Sequence, residues 1–294
     1  MNRIVRVTIA SVICALPFIS NAQLDVKPLS VNAKEVQHEI SISQQTIKVM
    51  TANIAHGRGT NLSQLTTSKK ATKQHLSLIA NSIVEENIDV LALQEVDLPS
   101  WWSGQFDHAA YLHNLIPIKS YVVSHHVDAW WGKYGTALYS NFEINEAKNI
   151  TFTPSFPTPN KGFTYVESSI NFEDSAAPID VILVSLHLDF SRASVRNKQI
   201  EELKQVVKNN TQPLIIMGDF NTDWRWHDSI IKTLENEYAL TTYQPTSDNM
   251  ATFGSKRLDW ILVSQHFQIE NYYNYRDDLS DHKFVIAELS YVKQ

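Results

Sequence analysis

The sequence predicts one layered α/β domain with mixed sheets. Short apolar runs bounded by turn formers recur along the chain, and each stops abruptly at a polar residue, as buried strands do. Two longer segments, 70–86 and 191–208, carry apolar residues at helical spacing instead. No repeat, linker or low-complexity tract divides the 294 residues.

In chain order, residues 1–6 carry Arg3 and Arg6, residues 7–19 are mostly apolar, and Ser20-Asn21-Ala22 ends with small residues before Gln23. That order and length predict a cleavable export signal over residues 1–22, and hence a secreted or periplasmic protein. The only cysteine, Cys14, lies inside this run behind Ile13, which does not suit lipid attachment. The mature chain then has no disulfide, no thiolate nucleophile and no zinc–sulfur site. Loss of Arg3 and Arg6 moves the balance from −6 to −8, with 31 acidic residues throughout. Such acidity argues against packaging nucleic acid, although not against a nuclease with a local basic cleft.

Residues 23–45 read as a polar, irregular leader into a single domain over 46–294. Strands are expected at 46–51 and 89–93, with the helix at 70–86 between them, where Leu76, Ile79, Ala80, Ile83 and Val84 share a face. Asp107 is placed to cap a short helix through Ile116. Further strands follow at 121–127, 135–140, 144–152, 163–172 and 179–188. The helix at 191–208 precedes the run 214–217, then come a helix near 227–235 and strands at 258–263, 267–275 and 284–289.

The chemistry concentrates where strands end in polar groups: Asn53, Glu95, His187, Asp219 with Asn221, Asp259, and Asp281 with His282; Tyr134 stands just before its strand. Residues i and i+2 at a strand end point the same way, so Asp219 and Asn221 converge on one spot at a sheet rim, where α/β folds build sites. Asp259 lies among Leu258, Trp260, Ile261 and Leu262, and a carboxylate there needs a partner, for which histidine is the natural choice. Glu95, Asp281 and Asn53 offer only oxygen ligands, with no cysteine or local histidine pair to compete, which favours Mg²⁺ or Mn²⁺. The combination suits phosphate-ester hydrolysis. Singly, each residue also suits a structural role; together they make a site.

Seven segments in order, Met50-Thr51-Ala52-Asn53, Leu93-Gln94-Glu95-Val96, Tyr134 to Ser140, Ser185-Leu186-His187, Gly218-Asp219-Phe220-Asn221, Leu258-Asp259-Trp260-Ile261 and Ser280-Asp281-His282, give the chain a resemblance to the endonuclease/exonuclease/phosphatase superfamily. The resemblance implies a four-layer sandwich of two packed mixed β-sheets flanked by helices. It also implies roles: Glu95 as principal metal ligand with Asn53 and Asp281 beside it, and Asp219 orienting or deprotonating water. Asn221 and Tyr134 would contact phosphate, and His282, held by Asp259, would donate a proton or stabilise charge. His187 matches the second histidine of the deoxyribonuclease and sphingomyelinase branches.

The expected function is a metal-dependent phosphodiesterase or phosphatase, read as a monomer. Asp259 leads into Trp260-Ile261, unlike the inositol-polyphosphate branch, and the basic DNA-gripping segments of abasic-site nucleases are missing. Net acidity and the pairs Trp101-Trp102 and Trp130-Trp131 favour a phospholipid headgroup or small phosphodiester, with those tryptophans as a membrane-facing lip. Extracellular nucleic acid is the alternative substrate, and a non-catalytic binding protein on the same fold is the alternative class. Arg58, Lys133, Arg192, Lys256 and Arg257, all near the site in sequence, are expected to form a positive funnel for phosphate.

Overall fold

The computed structural model describes residues 24–34, 43–207 and 212–293, so the expected export signal and Cys14 lie outside the described residues. In chain order the elements are β1 (Asp25–Pro28), β2 (Asn32–Ala33), β3 (Thr46–Asn53), α1 (Lys69–Glu85), β4 (Val90–Asp97), α2 (His108–Leu115), β5 (Ser120–Ala129) and β6 (Gly132–Ser140). They continue with β7 (Glu143–Thr151), β8 (Gly162–Ile170), β9 (Ile179–His187), α3 (Ala193–Val207), β10 (Leu214–Asp219), α4 (Ile230–Tyr238), β11 (Asp259–Val263), β12 (Phe267–Asn274) and β13 (Val285–Tyr291).

The strands form a six-stranded sheet, β1-β7-β8-β9-β10-β11, and a seven-stranded sheet, β12-β13-β3-β4-β6-β5-β2. Both are mixed: β9 and β10 run parallel, as do β3 and β4, and the other pairs are antiparallel. Alternation along each strand sends every second side chain to opposite faces. On β3, Ile47 and Val49 enter the core between the sheets, while Met50 and Ala52 pack under α1 and α2. On β10, Ile215 and Met217 enter the same central core, while Leu214 and Ile216 pack under α3 and α4. Three apolar layers between four structural ones make the four-layer sandwich that the resemblance implied.

The leader is not irregular throughout. Residues 25–28 pair with β7 and residues 32–33 with β5, so this stretch adds an edge strand to each sheet. All six side chains are exposed. Backbone pairing at an open edge needs no apolar pattern, which is why hydrophobic periodicity gave no sign of it. Asp107 does cap α2, accepting from the Ala110 amide at 2.9 Å. The helix expected near 227–235 begins instead at Ile230, after a turn in which Asp223 accepts from the amide and guanidinium of Arg225.

Gly218 has a steric reason. A Cβ there would stand 2.0 Å from the carbonyl oxygen of Leu186 on β9, a backbone atom that cannot move without breaking the parallel pairing. Gly218→Ala is therefore expected to destabilise the fold by roughly 3 kcal/mol or more, read as a large fall in Tm of the purified variant.

A candidate active site where the two sheets open

Strand register builds the site. Asp219, the last residue of β10, is paired with His187 on one side and Asp259 on the other, so three side chains form one row on the six-stranded sheet. All three continue the inward-facing positions that lower down hold Val181, Leu183, Ile215, Met217, Ile261 and Val263. Asn53 ends β3 on the facing sheet. Between the apolar core and this mouth lies a polar step: Thr51 bonds Gln94, whose amide donates to the Ser185 hydroxyl across the sheets at 3.2 Å.

Glu95 reaches the mouth through a break in alternation. Leu91 and Leu93 face the helices, and regular pleating would send Glu95 the same way. Instead the pairing shifts between Gln94 and Val96, leaving Glu95 as the extra residue of a β-bulge, with φ 55°. Val96 takes the helix-facing position, and Glu95 lines the pocket. A bulge that re-aims one side chain at the cost of a left-handed backbone is a recurrent device at functional sites.

The pocket is about 270 Å³ and is lined by Asn53, Glu95, His187, Asp219, Asn221 and His282, together with Lys161, Phe190, Trp226, Phe253, Lys256 and Leu258. Asp259 sits fully buried behind His282, its Oδ2 accepting from Nδ1 at 2.8 Å while Oδ1 has no partner. Burial opposes charge on His282, but Asp259 and Asp219 outweigh it and raise the imidazole to about 10, which favours its cationic form. Burial, then the facing charge of Asp259, raises Asp219 to about 7. Asn53 donates its amide to Asp219 Oδ2 at 3.1 Å and accepts the Ala55 amide on Oδ1. Asn221, with φ 50°, returns its backbone N–H to Asp219 Oδ1 at 2.9 Å and its side-chain amide to the Leu188 carbonyl at 3.0 Å.

Several sequence expectations change here. Asp281 does not line the pocket; its carboxylate is engaged by Arg58 at 2.5 Å. Tyr134 does not line it either, because it packs edge-on to His56 at 4.8 Å, with Trp102 and Trp131 around it. The tryptophan pairs are split. Trp102 donates to Asp97 at 2.8 Å and packs on Trp131, whereas Trp101 and Trp130 are exposed. The basic funnel is reduced to Lys256: besides Arg58, Lys133 pairs with Asp128, Arg192 donates to the Phe156 carbonyl and the buried Arg257 to those of Tyr243 and Gln244.

The structure also adds what sequence reasoning missed. His56, in a left-handed turn after Asn53, holds Nδ1 against Asp97 at 2.6 Å and turns Nε2 to Glu95 at 3.4 Å. His187 Nε2 lies 4.0 Å from Glu95 and 3.5 Å from Asp219, so two imidazoles stand beside Glu95 although the sequence shows no local histidine pair there. Burial opposes charge on His56, but Asp97 and Glu95 outweigh it and raise its pKa. Lys161, also missed, is buried and meets His187 Nε2 at 2.8 Å.

A divalent cation fits this donor set. Glu95 keeps 22% of its side chain exposed in the pocket, and its nearest donors stand at 3.4 and 4.0 Å, too far to satisfy a carboxylate. Burial opposes its ionisation, yet His56, Lys161 and His282 hold its pKa below the usual value.

Residues 50–282 match the Endonuclease/Exonuclease/phosphatase family. No curated protein matches. Among solved structures, a family protein from Leptotrichia buccalis is 19% identical, with a TM-score of 0.62 over 83% of this chain and 100% of that one. One from Bacteroides vulgatus is 18% identical, with a TM-score of 0.63 over 85% and 100%. A mannosyl-6-phosphatase from Bacteroides thetaiotaomicron is 17% identical, with a TM-score of 0.59 over 83% and 100%. At such identities the likeness is one of fold.

Proposed function

The chain belongs to the endonuclease/exonuclease/phosphatase family, and from that premise we propose that it is a divalent-metal-dependent phosphoric ester hydrolase acting by in-line attack of water. One observation carries the reading: the row His187, Asp219, Asp259, with His282 hydrogen-bonded to Asp259, faces Asn53 and Glu95 across the mouth of one pocket.

In this reading Asp219 receives the proton of the attacking water. Its raised pKa keeps it basic enough to accept near neutrality, and Asn53 and the Asn221 amide fix both its oxygens. His282, charged and aimed by Asp259, stabilises the phosphoryl oxygens and donates to the leaving group. Asn221 holds a non-bridging oxygen with the amide hydrogen that Leu188 leaves unused. Glu95 would hold the metal, with Asn53 alongside and Asp281 available to it only without Arg58. When bound, the ion supplies neutralisation of phosphoryl charge.

The substrate proposed is a small or headgroup phosphate ester reaching a monomer. Every exposed tryptophan and phenylalanine among the described residues, Trp101, Trp130, Phe156, Phe190 and Phe253, lies in loops at this end of the sandwich. Such a rim suits an amphiphilic surface better than a nucleic-acid backbone, which calls for free cations.

Purified protein incubated with Mn²⁺ or Mg²⁺ on p-nitrophenyl phosphate, bis-p-nitrophenyl phosphate, sphingomyelin, phosphatidylinositol vesicles and plasmid DNA tests the reading, with EDTA as control. Hydrolysis abolished by EDTA supports it, and inactivity on every ester defeats it. Turnover confined to DNA would establish the nuclease alternative. Export is proposed from residues 1–22 alone, and recovery of exported protein that still begins at Met1 would refute cleavage there.

A further inference from the structure

Lys161 is a buried pocket lysine that the proposed mechanism leaves unused. It precedes β8 at the foot of the loop from β7, its carbonyl accepting the Phe152 amide at 3.0 Å, so the strand pairing itself holds it in the wall. Its ammonium is 2.8 Å from His187 Nε2, and among the described residues no carboxylate oxygen lies within 4.0 Å of it. Burial, then the charge of Lys161 itself, pushes His187 well below the usual histidine range. His187 Nε2 accepts from the ammonium and so orients it. One of the three ammonium hydrogens is used by His187; burial disfavours the charge, and Glu95, Asp219 and Asp189 offset it only from beyond ion-pair distance. The missing partner is an anion that enters the pocket.

Counting donors against phosphate oxygens selects the anion. A phosphodiester carries one charge on two non-bridging oxygens, for which His282, the Asn221 amide and a cation at Glu95 would already suffice. A phosphomonoester dianion carries a third non-bridging oxygen and a second charge. Lys256, the other lysine of the pocket, adds a further cation, and Trp226 and Phe253 give the organic part flat apolar walls. We propose that Lys161, oriented by His187, is a specificity residue that binds the third oxygen and makes this site select phosphomonoesters over diesters. The assignment rests on the hydrolase reading above and narrows its substrate class.

The test compares kcat/KM on p-nitrophenyl phosphate and bis-p-nitrophenyl phosphate for wild type and Lys161→Met with saturating Mn²⁺, and measures inorganic phosphate binding by calorimetry on both proteins. Wild type is expected to favour the monoester, and Lys161→Met to lower the monoester-to-diester ratio by about 100-fold, within the range for removing one charged donor from a transition state. Phosphate affinity should fall by at least about tenfold. A wild type that prefers the diester overturns the assignment whether or not the variant folds. So does an equal loss on both esters or an unchanged phosphate affinity. If wild type hydrolyses neither ester, the hydrolase reading passes to the other substrates named above, and the binding comparison still decides what Lys161 holds.

Discussion

His282→Ala is expected to lower kcat/KM by about 10³-fold or more, the combined scale of a lost proton donor and a lost charged donor to the transition state. The physical basis is the dyad: Asp259, fully buried, has His282 as its only side-chain counter-charge at hydrogen-bond distance among the described residues, and its Oδ1 already lacks a partner there. Removing the imidazole strands a buried carboxylate, so the variant should also lose about 3–5 kcal/mol of stability. Activity must therefore be measured well below its Tm, on protein shown to be folded. Asp259→Asn should do similar damage to turnover, and the double variant should be little worse than His282→Ala, since the two act as a unit. Retention of activity within tenfold of wild type would remove His282 from the mechanism. Additive losses would mean that Asp259 acts on its own.

Glu95 should separate stability from function. Glu95→Gln is expected to weaken Mn²⁺ binding by at least about 100-fold, the upper end of what losing a mere supporting partner costs, with turnover falling in step when metal is limiting. Binding can be followed by the electron paramagnetic resonance of free Mn²⁺, without reference to catalysis. Glu95→Gly should lose metal in the same way and yet be at least as stable as wild type. Its φ of 55° is strained for a side chain by roughly 1–3 kcal/mol, whereas glycine adopts it freely. A higher Tm with no metal affinity is the expected pair of results. Unchanged Mn²⁺ affinity in both variants would mean that the cation is held elsewhere.

Much of this site could be read along the chain because strand periodicity and strand ends are local properties. The apolar runs before His187 and Asp219, and the run after Asp259, marked three strand termini, and their shared sheet rim followed from ordinary α/β construction. The dyad of Asp259 and His282 was legible from a carboxylate set among apolar neighbours, which demanded a partner. His56 had a weak signal, sitting in the polar turn just after Asn53. Lys161 had none: a lysine beside a proline-rich turn reads as solvated, and nothing local tells that β8 carries it under the wall of the pocket.

By itself, then, the sequence determined the layered α/β class, the order of the strands and which of them end in chemically active groups, because alternation and abrupt polar ends are written in neighbouring residues. Tertiary structure decided which of those groups meet. It drew Asp281 onto Arg58, put Tyr134 behind His56, and brought two imidazoles to Glu95. It also turned Glu95 into the pocket through a bulge that is defined only against the partner strand, β6. Pairing, burial and charge balance are properties of contacts between distant segments, and no window along the chain contains both sides of such a contact.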